Sequence, residues 1–181
     1  MGRMRRESLE AQRYSYWLAL VVIVLDQLSK WVISSRLELY EQLKVIGNFF
    51  VITSIRNTGA AFSILEGKRA FFLLITLAVA AGIMWYIHQS RKSGRTLLLT
   101  ALGLVLGGAL GNFIDRLLYG HVVDFLSFNF GSYSFPVFNL ADTAITIGVG
   151  LIILDTFLGE RRNAASPEAD QPGASDSTSG A

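Results

Sequence analysis

The chain has 181 residues, of which 51% are hydrophobic and only 17% are charged, and its mean hydropathy of +0.43 argues against an ordinary soluble domain. The absence of cysteine excludes disulfides, a thiol nucleophile, thiolate zinc sites and cysteine-ligated iron–sulfur clusters. The two histidines are too few for a three-histidine zinc site. The net charge of +2 comes largely from arginines that flank apolar runs, which indicates membrane topology rather than nucleic-acid binding.

Four apolar segments have about the length needed to cross a hydrocarbon core of about 30 Å. They cover residues 16–33, 70–87, 96–114 and 139–158. The second and third contain no charged residue, whereas the first contains Asp26 and Lys30 and the fourth contains Asp142 and Asp155. The predicted fold class is an all-α membrane protein with four transmembrane helices and small β-rich extracytoplasmic connections.

The first apolar segment has a rival interpretation as a cleaved signal peptide, because Arg3, Arg5 and Arg6 precede it. However, Asp26 and Lys30 interrupt the segment, and no small-residue cleavage site follows it. We therefore expect it to remain as a membrane-spanning helix. Asp155, close to the other end of the fourth segment, is interpreted as an interfacial residue, because a charge at a helix end can reach the membrane surface.

The positive-inside rule predicts the orientation of the chain. Basic residues precede the first segment, fill the second connection and follow the last segment: Arg3, Arg5, Arg6, Arg13, Arg91, Lys92, Arg95, Arg161 and Arg162. The first connection opposes this bias with Arg36, Lys44, Arg56, Lys68 and Arg69, partly offset by glutamates. We expect both termini to be cytoplasmic.

The two outer connections do not resemble simple linkers. Residues 43–56 and 122–138 are rich in Val, Ile, Phe and Tyr in rough alternation, which predicts short strands at the membrane face. The expected organisation is a basic N-terminus (1–15), a four-span membrane domain (16–159) and a polar tail (160–181). The tail lacks apolar residues to bury and is predicted to be disordered.

Ionisable residues inside a bilayer are costly, so they are functional candidates by default. Asp26 and Lys30 are four residues apart with the acid first, which favours an ion pair on one helix face. The structural interpretation is mutual neutralisation inside a helix bundle, and the alternative is a direct role in chemistry. A serine–lysine dyad with a neighbouring serine is a poor alternative, because Asp26 should keep Lys30 protonated.

The third segment ends in a polar cluster. Gly103, Gly107 and Gly111 recur every four residues and predict close helix packing. Asn112, Asp115 and Arg116 follow at helical spacing, so one face of the helix end presents an amide, a carboxylate and a guanidinium. The structural alternative for this cluster is an arginine that reaches the interface beside a local acid partner.

Asp124 and Asp142 each stand among apolar residues near the same membrane face. Burial raises the pKa of a carboxyl, and two carboxyls that share a site hold one proton between them. That is the state an aspartic protease needs to activate water and polarise a peptide carbonyl. The alternative is that the two residues act separately, with Asp142 capping the fourth helix. His121 could act as a base beside the site but is interpreted as a solvated or interfacial residue, and His88 is interpreted as having no role in chemistry.

Two other function classes remain compatible with four spans and buried charges. A small transporter or channel would also contain intramembrane ionisable groups, although these would be spread along the transport path rather than clustered at one face. A non-catalytic membrane scaffold predicts that Asp124 and Asp142 can be neutralised with little effect. It does not explain why both carboxylates are surrounded by apolar residues.

Five motifs in this order resemble those of the lipoprotein signal peptidases, the bacterial signal peptidase II family of membrane aspartic proteases. They read Asp26-Gln27-x-x-Lys30, Asn57-x-Gly59-Ala60-Ala61-Phe62, Gly107-Gly108-x-x-Gly111-Asn112-x-x-Asp115-Arg116, Val123-Asp124-Phe125 and Phe138-Asn139-x-Ala141-Asp142. Together they cover residues 26 to 142. The only departure from the family's pattern is the polar tail after Arg162, which does not touch the motifs.

The resemblance implies that Asp124 and Asp142 are catalytic. The supporting positions that it implies are Asp26, Lys30, Asn57, Gly59, Asn112, Asp115, Arg116 and Asn139. The implied reaction removes the signal peptide from a diacylglyceryl-modified prolipoprotein, with cleavage just before the lipidated cysteine and with no metal or organic cofactor. The expected partners are these substrates and membrane lipids, without nucleic acid, and the chain is expected to be a monomer. The connection from Asn57 to Phe62 is expected to cover the substrate as a lid.

Overall fold

The structure is a computed structural model that describes residues 2–59, 67–90 and 95–164. Within these ranges the chain forms four long helices and four strands. The helices are α1 (Gly2–Arg36), α2 (Arg69–Ser90), α3 (Thr96–Tyr119) and α4 (Leu140–Ala164). The strands are β1 (Gln42–Ile46), β2 (Phe50–Asn57), β3 (Val122–Phe130) and β4 (Tyr133–Ser134).

Each helix contains a stretch long and apolar enough to cross a membrane: Gln12–Arg36, Arg69–Ser90, Thr96–Tyr119 and Leu140–Gly159. The predicted four spans are confirmed. Helix α3 is the central one, since 56% of its apolar window is buried in the protein against 11–22% for the other three. The remaining helices pack around α3 and present large apolar side chains outward, as expected where lipid surrounds the bundle.

Glycines in α3 let two neighbouring helices approach its backbone. A Cβ atom at Gly107 would lie 2.7 Å from the carbonyl oxygen of Ala19 in α1, and a Cβ atom at Gly108 would lie 2.3 Å from that of Ala141 in α4. At Gly111 the added atom would lie 2.6 Å from the carboxylate of Asp26. The predicted packing role of the glycine repeat is confirmed, and it presses the first turn of α4 against the polar end of α3.

The four strands form one antiparallel sheet in the order β1-β2-β3-β4. The predicted strands in both outer connections are confirmed, although 135–138 contributes only a bridge between Phe138 and Leu126. In the pairing of β2 with β3, Asn57 lies opposite Val122 and Ile55 lies opposite Asp124. This register brings the end of the first connection to the beginning of the second.

Two predictions at the other end of the bundle need correction. Helix α4 continues to Ala164, so the expectation of a disordered tail from residue 160 is wrong for 160–164. Residues 165–181 lie outside the described residues. Asp155 is more than an interfacial residue, since it is only 8% exposed and forms an ion pair with Arg95 at the start of α3. The helix bundle buries Asp155 because the cation of a neighbouring helix is available to neutralise it.

Candidate active site

A cavity of about 610 Å³ opens where α3, α4 and the sheet meet. Its polar wall consists of Asn57, Asn112, Arg116, Asp124 and Asp142. Its apolar wall comes from the segment after β4 and from α4, chiefly Phe135, Pro136, Val137, Phe138, Ile145 and Ile147. The cavity is therefore a mostly apolar cleft with polar groups converging at one place, the arrangement expected of a binding or catalytic site.

Asp124 lies in the buried half of β3 and is 3% exposed. Its Oδ2 atom accepts a hydrogen bond of 2.8 Å from the Asn57 side chain at the end of β2. The Asn57 amide is itself held by the backbone N–H of Gly59, which donates to Asn57 Oδ1 at 2.9 Å. The strand register and this short turn thus determine the position of the first predicted catalytic carboxyl.

Asp142 lies in the first turn of α4 and is partly accessible from the cavity. Asn139 precedes the helix, and its Oδ1 atom accepts from the backbone N–H of Asp142 at 3.0 Å. In return, Asp142 Oδ2 accepts from the backbone N–H of Asn139 at 3.2 Å. This reciprocal arrangement is a capping box, so the predicted capping role of Asp142 is confirmed. The first turn of a helix also favours a negative charge there.

Asn139 connects the two aspartates. Its side-chain Nδ2 donates to Asp124 Oδ1 at 2.6 Å while its backbone N–H donates to Asp142. The two carboxyls therefore share one completely buried partner and face the same cavity. Capping and pairing were alternatives for Asp142 on sequence grounds. The cap does not exclude a pair, because only one oxygen of Asp142 serves the helix end and the other accepts from Asn112 at the cavity.

Burial raises the pKa of the Asp124 carboxyl to about 7. Loss of water is the largest cause, and the negative charge of Asp142 acts in the same direction. The hydrogen bonds from Asn57 and Asn139 and the positive charge of Lys30 oppose the shift without cancelling it. Asp124 can thus carry a proton near neutral pH, which is what the acid member of an aspartic pair requires.

Behind the cavity, Lys30 links α1 to α3. Its Nζ atom lies 2.7 Å from Asp26 and 3.0 Å from Asp115, and all three side chains are almost completely buried. It also donates to Asn112 Oδ1 at 2.9 Å. The predicted pairing of Asp26 with Lys30 is confirmed, but it is part of a larger network. Asp26 additionally accepts from the backbone N–H of Ala141 and so ties α1 to the beginning of α4.

The structural alternative of an Arg116 paired with the neighbouring Asp115 is not found. Its guanidinium donates to the carbonyl oxygen of Gly59 at 3.0 Å and lies 4.7 Å from the centre of the Phe72 ring. Asp115 instead bonds Lys30 and the backbone N–H of Val123. The two side chains diverge because Asp115 faces α1 while Arg116 faces α2 and the first connection. Ala60, Ala61 and Phe62, which follow Gly59 in the motif, lie outside the described residues.

Two residues outside the predicted set support the site. Gln27 donates to Asp115 Oδ1 at 2.8 Å and to the carbonyl oxygen of Gly111 at 3.2 Å. Its polarity inside an apolar segment, directly after Asp26, was a usable signal. Phe72 packs on Arg116, but nothing distinguishes it from the other aromatic residues of its segment.

The residues considered as alternative catalysts form other hydrogen bonds and ion pairs. Ser29 donates to the backbone of Asp26, and Lys30 uses its donors on three acceptors, so the pair does not form a nucleophile and base. His121 contacts the backbone of Tyr119. Among the described residues, no group of three His, Cys, Asp or Glu side chains is arranged to hold a metal ion.

Known proteins similar to this chain bear the name of the family that its motifs resemble. Residues 18–158 match the model of the family described as signal peptidase (SPase) II. A lipoprotein signal peptidase of Symbiobacterium thermophilum is 46% identical over 82% of this chain and 97% of its own length. One of Shouchella clausii is 48% identical over 84% of this chain and 98% of its own length.

Solved structures agree with the sequence comparisons. A bacterial membrane enzyme determined by the in meso method at 2.3 Å resolution superposes with a TM-score of 0.75 at 37% identity. The superposition covers 88% of this chain and 94% of that one. Neither a transporter nor a scaffold fits these matches. With its four spans and its aspartate-lined cavity, the chain belongs to the signal peptidase II family of membrane aspartic peptidases.

Proposed function

We propose that this protein is an intramembrane endopeptidase that removes the signal peptide from diacylglyceryl-modified prolipoproteins and that Asp124 and Asp142 perform the hydrolysis. The observation that carries the proposal is the bonding of Asn139 to both carboxyls at the wall of one cavity. Two carboxyls held this way can share one proton, so that one is a base and the other an acid. Family membership supports prolipoproteins as the substrate class.

The chemistry requires no group beyond the pair and one water molecule. The ionised carboxylate takes a proton from the water as its oxygen attacks the scissile carbonyl carbon, and the protonated carboxyl gives its proton to the carbonyl oxygen. The tetrahedral diol then collapses and the C–N bond breaks. The carboxyl that took the water proton gives it to the leaving nitrogen, and the other carboxylate takes a proton from a diol hydroxyl, which restores the starting state of the pair. The products are the carboxyl end of the signal peptide and the free amino group of the lipidated cysteine.

The cavity suits a substrate that arrives through the bilayer. Its apolar wall, including Ile145 and Ile147 of the membrane-spanning helix α4, offers a surface to acyl chains, while its polar wall presents the carboxyls. Cleavage just before the lipidated cysteine follows if the acyl chains stay against the apolar wall and the peptide crosses the polar one. Arg116 supports such a path, because it fixes the Gly59 carbonyl at the rim of the cavity.

The remaining parts of the proposal concern topology and motion. The distribution of basic residues favours cytoplasmic termini, which puts the cavity at the extracytoplasmic face of the inner membrane. We also propose that the first connection, from Asn57 onward, closes over the bound peptide, acts as a lid and excludes water. The chain is proposed to act as a monomer without a metal, since the described polar wall is complete within one chain.

Cleavage of a diacylglyceryl-modified prolipoprotein by the purified protein in detergent tests the proposal. Wild type is compared with Asp124→Asn and Asp142→Asn, which keep side-chain shape and remove the charge. Asn129→Ala, near the C-terminal end of β3 and outside the cavity lining, is the control. A chelator is added in parallel. We expect wild type and the control to cut before the lipidated cysteine with or without chelator, and each aspartate variant to lose at least a thousandfold in rate.

The possible results separate the parts of the proposal. Normal cleavage by either folded aspartate variant would show that the assigned pair is not catalytic. Inhibition by chelator would contradict metal-free hydrolysis. If purified wild type does not cleave a substrate that its native membranes process, the proposed peptidase function is wrong. Mass spectrometry of the product identifies the bond that is cut.

A further inference from the structure

We propose that the main chain of Pro136 and Val137 is an edge to which the substrate peptide adds as an extended strand, so that backbone hydrogen bonds hold the scissile bond beside the two aspartates. The inference rests on the proposed function, because it describes how the same site holds its substrate. It concerns the peptide backbone of the substrate rather than its side chains or acyl chains.

A peptide that enters this cavity needs hydrogen-bond partners. The cavity is mostly apolar, and an N–H or C=O group that leaves water without a new partner costs free energy. A segment that arrives through the bilayer satisfies these groups within a helix. At the scissile bond the helix must open, because water and two carboxyls have to reach the same carbonyl group. The opened residues therefore need both donors and acceptors from the cavity wall.

The polar side chains of the wall do not supply such a combination. The amides of Asn57 and Asn112 are already bonded at both their N–H and their C=O ends. The hydroxyl groups of Thr143 and Thr146 donate to carbonyl oxygens one turn earlier in the chain. Arg116 has N–H groups to spare, but a guanidinium offers no acceptor. None of these side chains presents an unbonded donor together with an unbonded acceptor.

The segment between β4 and α4 is attached to β3 at two points. The N–H of Phe135 donates to the carbonyl oxygen of Phe128 at 2.8 Å. Phe138 exchanges two main-chain hydrogen bonds with Leu126, at 2.8 and 3.1 Å. The two partners in β3 are two residues apart, whereas Phe135 and Phe138 are three apart. The segment therefore has one residue more than the strand beside it, as in a β-bulge.

Pro136 and Val137 lie between these two attachments. Within the described ranges, the Val137 N–H and the carbonyl groups of both residues form no hydrogen bond with another residue. Successive residues of a paired strand direct their main-chain groups to opposite sides. Since Phe138 directs its groups to β3, Val137 directs its own N–H and C=O away from β3, and both Pro136 and Val137 line the cavity. A proline has no N–H to leave unbonded, which suits an edge position.

This edge leads directly to the aspartate pair. Asn139, two residues after Val137, donates to both Asp124 and Asp142. Two residues of extended chain span about 7 Å. A strand paired with Val137 thus brings a peptide bond about two residues further along to the carboxyls. Addition of a peptide strand to a free sheet edge is a common mode of peptide recognition, and here the continuity of the edge with the aspartates makes the residues around the scissile bond its occupant.

Removal of the Val137 N–H tests the proposal. Val137→Pro removes this donor, and a second variant carries the α-hydroxy acid analogue of valine at position 137, which replaces the N–H by oxygen and keeps the side chain. We expect both to raise KM about fivefold with kcat unchanged, because the lost hydrogen bond holds substrate and transition state alike. The same hydroxy acid at Val45, exposed in β1 and outside the cavity lining, is the control and should leave KM unchanged.

An unchanged KM in the folded hydroxy-acid variant overturns the proposal, and this variant decides the question if Val137→Pro does not fold. Substrates with one ester in place of an amide near the scissile bond provide the complementary test. At the position that pairs with Val137, the ester should cost wild type about fivefold in kcat/KM and cost the hydroxy-acid variant much less, because the bond is already lost there. Equal losses in the two enzymes at every position also overturn the proposal.

Binding without cleavage separates this proposal from the proposed function. In the Asp124→Asn background, the hydroxy acid at position 137 should raise the Kd of a fluorescent diacylglyceryl-modified prolipoprotein peptide about fivefold. An unchanged Kd overturns the edge and leaves the aspartate pair untouched. Normal cleavage by Asp124→Asn itself contradicts the proposed catalytic pair instead.

Discussion

Gly108→Ala tests whether the close contact between α3 and α4 sets the geometry of the aspartate pair. The added Cβ atom would lie 2.3 Å from the carbonyl oxygen of Ala141 and 2.8 Å from the side chain of Ile145. Ordinary contact for a Cβ atom begins at 3.4 Å. The first turn of α4 must therefore retreat by about 1 Å, because the nearest atom is backbone and has no rotamer that avoids the clash.

The cost of this displacement follows from what the first turn of α4 holds. Overpacking of this kind costs about 1 to 3 kcal/mol of unfolding free energy. Asn139 and Asp142 move with the helix, whereas Asp124 stays on β3. A misplacement of about 1 Å in a catalytic constellation costs about a hundredfold in rate. We expect Gly108→Ala to unfold at a lower temperature and to lose about a hundredfold in kcat/KM.

The assay combines thermal unfolding in detergent with cleavage kinetics measured well below the unfolding temperature. Gly150→Ala in α4 is the matched control, because no atom lies within 4 Å of the added Cβ. It should keep wild-type activity and stability. Wild-type kcat/KM in Gly108→Ala would refute the reasoning, since the site would then tolerate a displacement that the structure says it cannot absorb.

Three further predictions concern other contacts. Stability should fall by at most about 4 kcal/mol as pH rises from 4 through 7, because the folded state retains a proton on Asp124 that the unfolded chain loses near pH 3.8. This slope should be absent from thermal melts of Asp124→Asn, and an equal slope in that variant would contradict the raised pKa of Asp124. Asn139→Ala removes both the helix cap and the link between the carboxyls, so it should lower cleavage at least about a hundredfold and stability by about 1 kcal/mol. Asn129→Ala, whose half-buried side chain bonds the backbone of Asn48 outside the cavity, should leave cleavage unchanged, and similar rates for the two variants would count against the bridge. Asp155→Asn should lower stability by about 1 kcal/mol without altering kcat/KM, since Arg95 is partly exposed and can regain water. A lower kcat/KM in the fully folded variant would show instead that this end of the bundle affects the site.

Much of the architecture of this protein could be predicted from its sequence because a lipid environment restricts which residues and backbone structures can be buried in it. Uninterrupted apolar runs predicted the four spans, and polar residues such as Asp26, Lys30 and Asn112 were conspicuous because a bilayer does not tolerate them without partners. The glycine repeat in α3 predicted close packing for a similarly local reason. The five motifs together identified the family before any geometry was known.

The hydrogen-bond and ion-pair partners of the buried polar residues could not be predicted in the same way. Spacing along one helix suggested that Arg116 pairs with Asp115 and that Lys30 pairs with Asp26, but only the second is found. The Asp115 alternative arose because helical periodicity compares residues within one element. Arg116 points toward α2 and the first connection, whose approach depends on packing between elements.

The sequence by itself therefore determined the membrane class, the number of spans and the set of polar residues that must be buried together, since these follow from local hydrophobicity. The tertiary structure decided which donor meets which acceptor. The register of β2 with β3 brings Asn57 to Asp124, and the approach of α4 to the glycines of α3 brings Asn139 and Asp142 to Asn112. Hydrogen bonds act over about 3 Å, so their partners depend on packing distances that no pattern along the chain records.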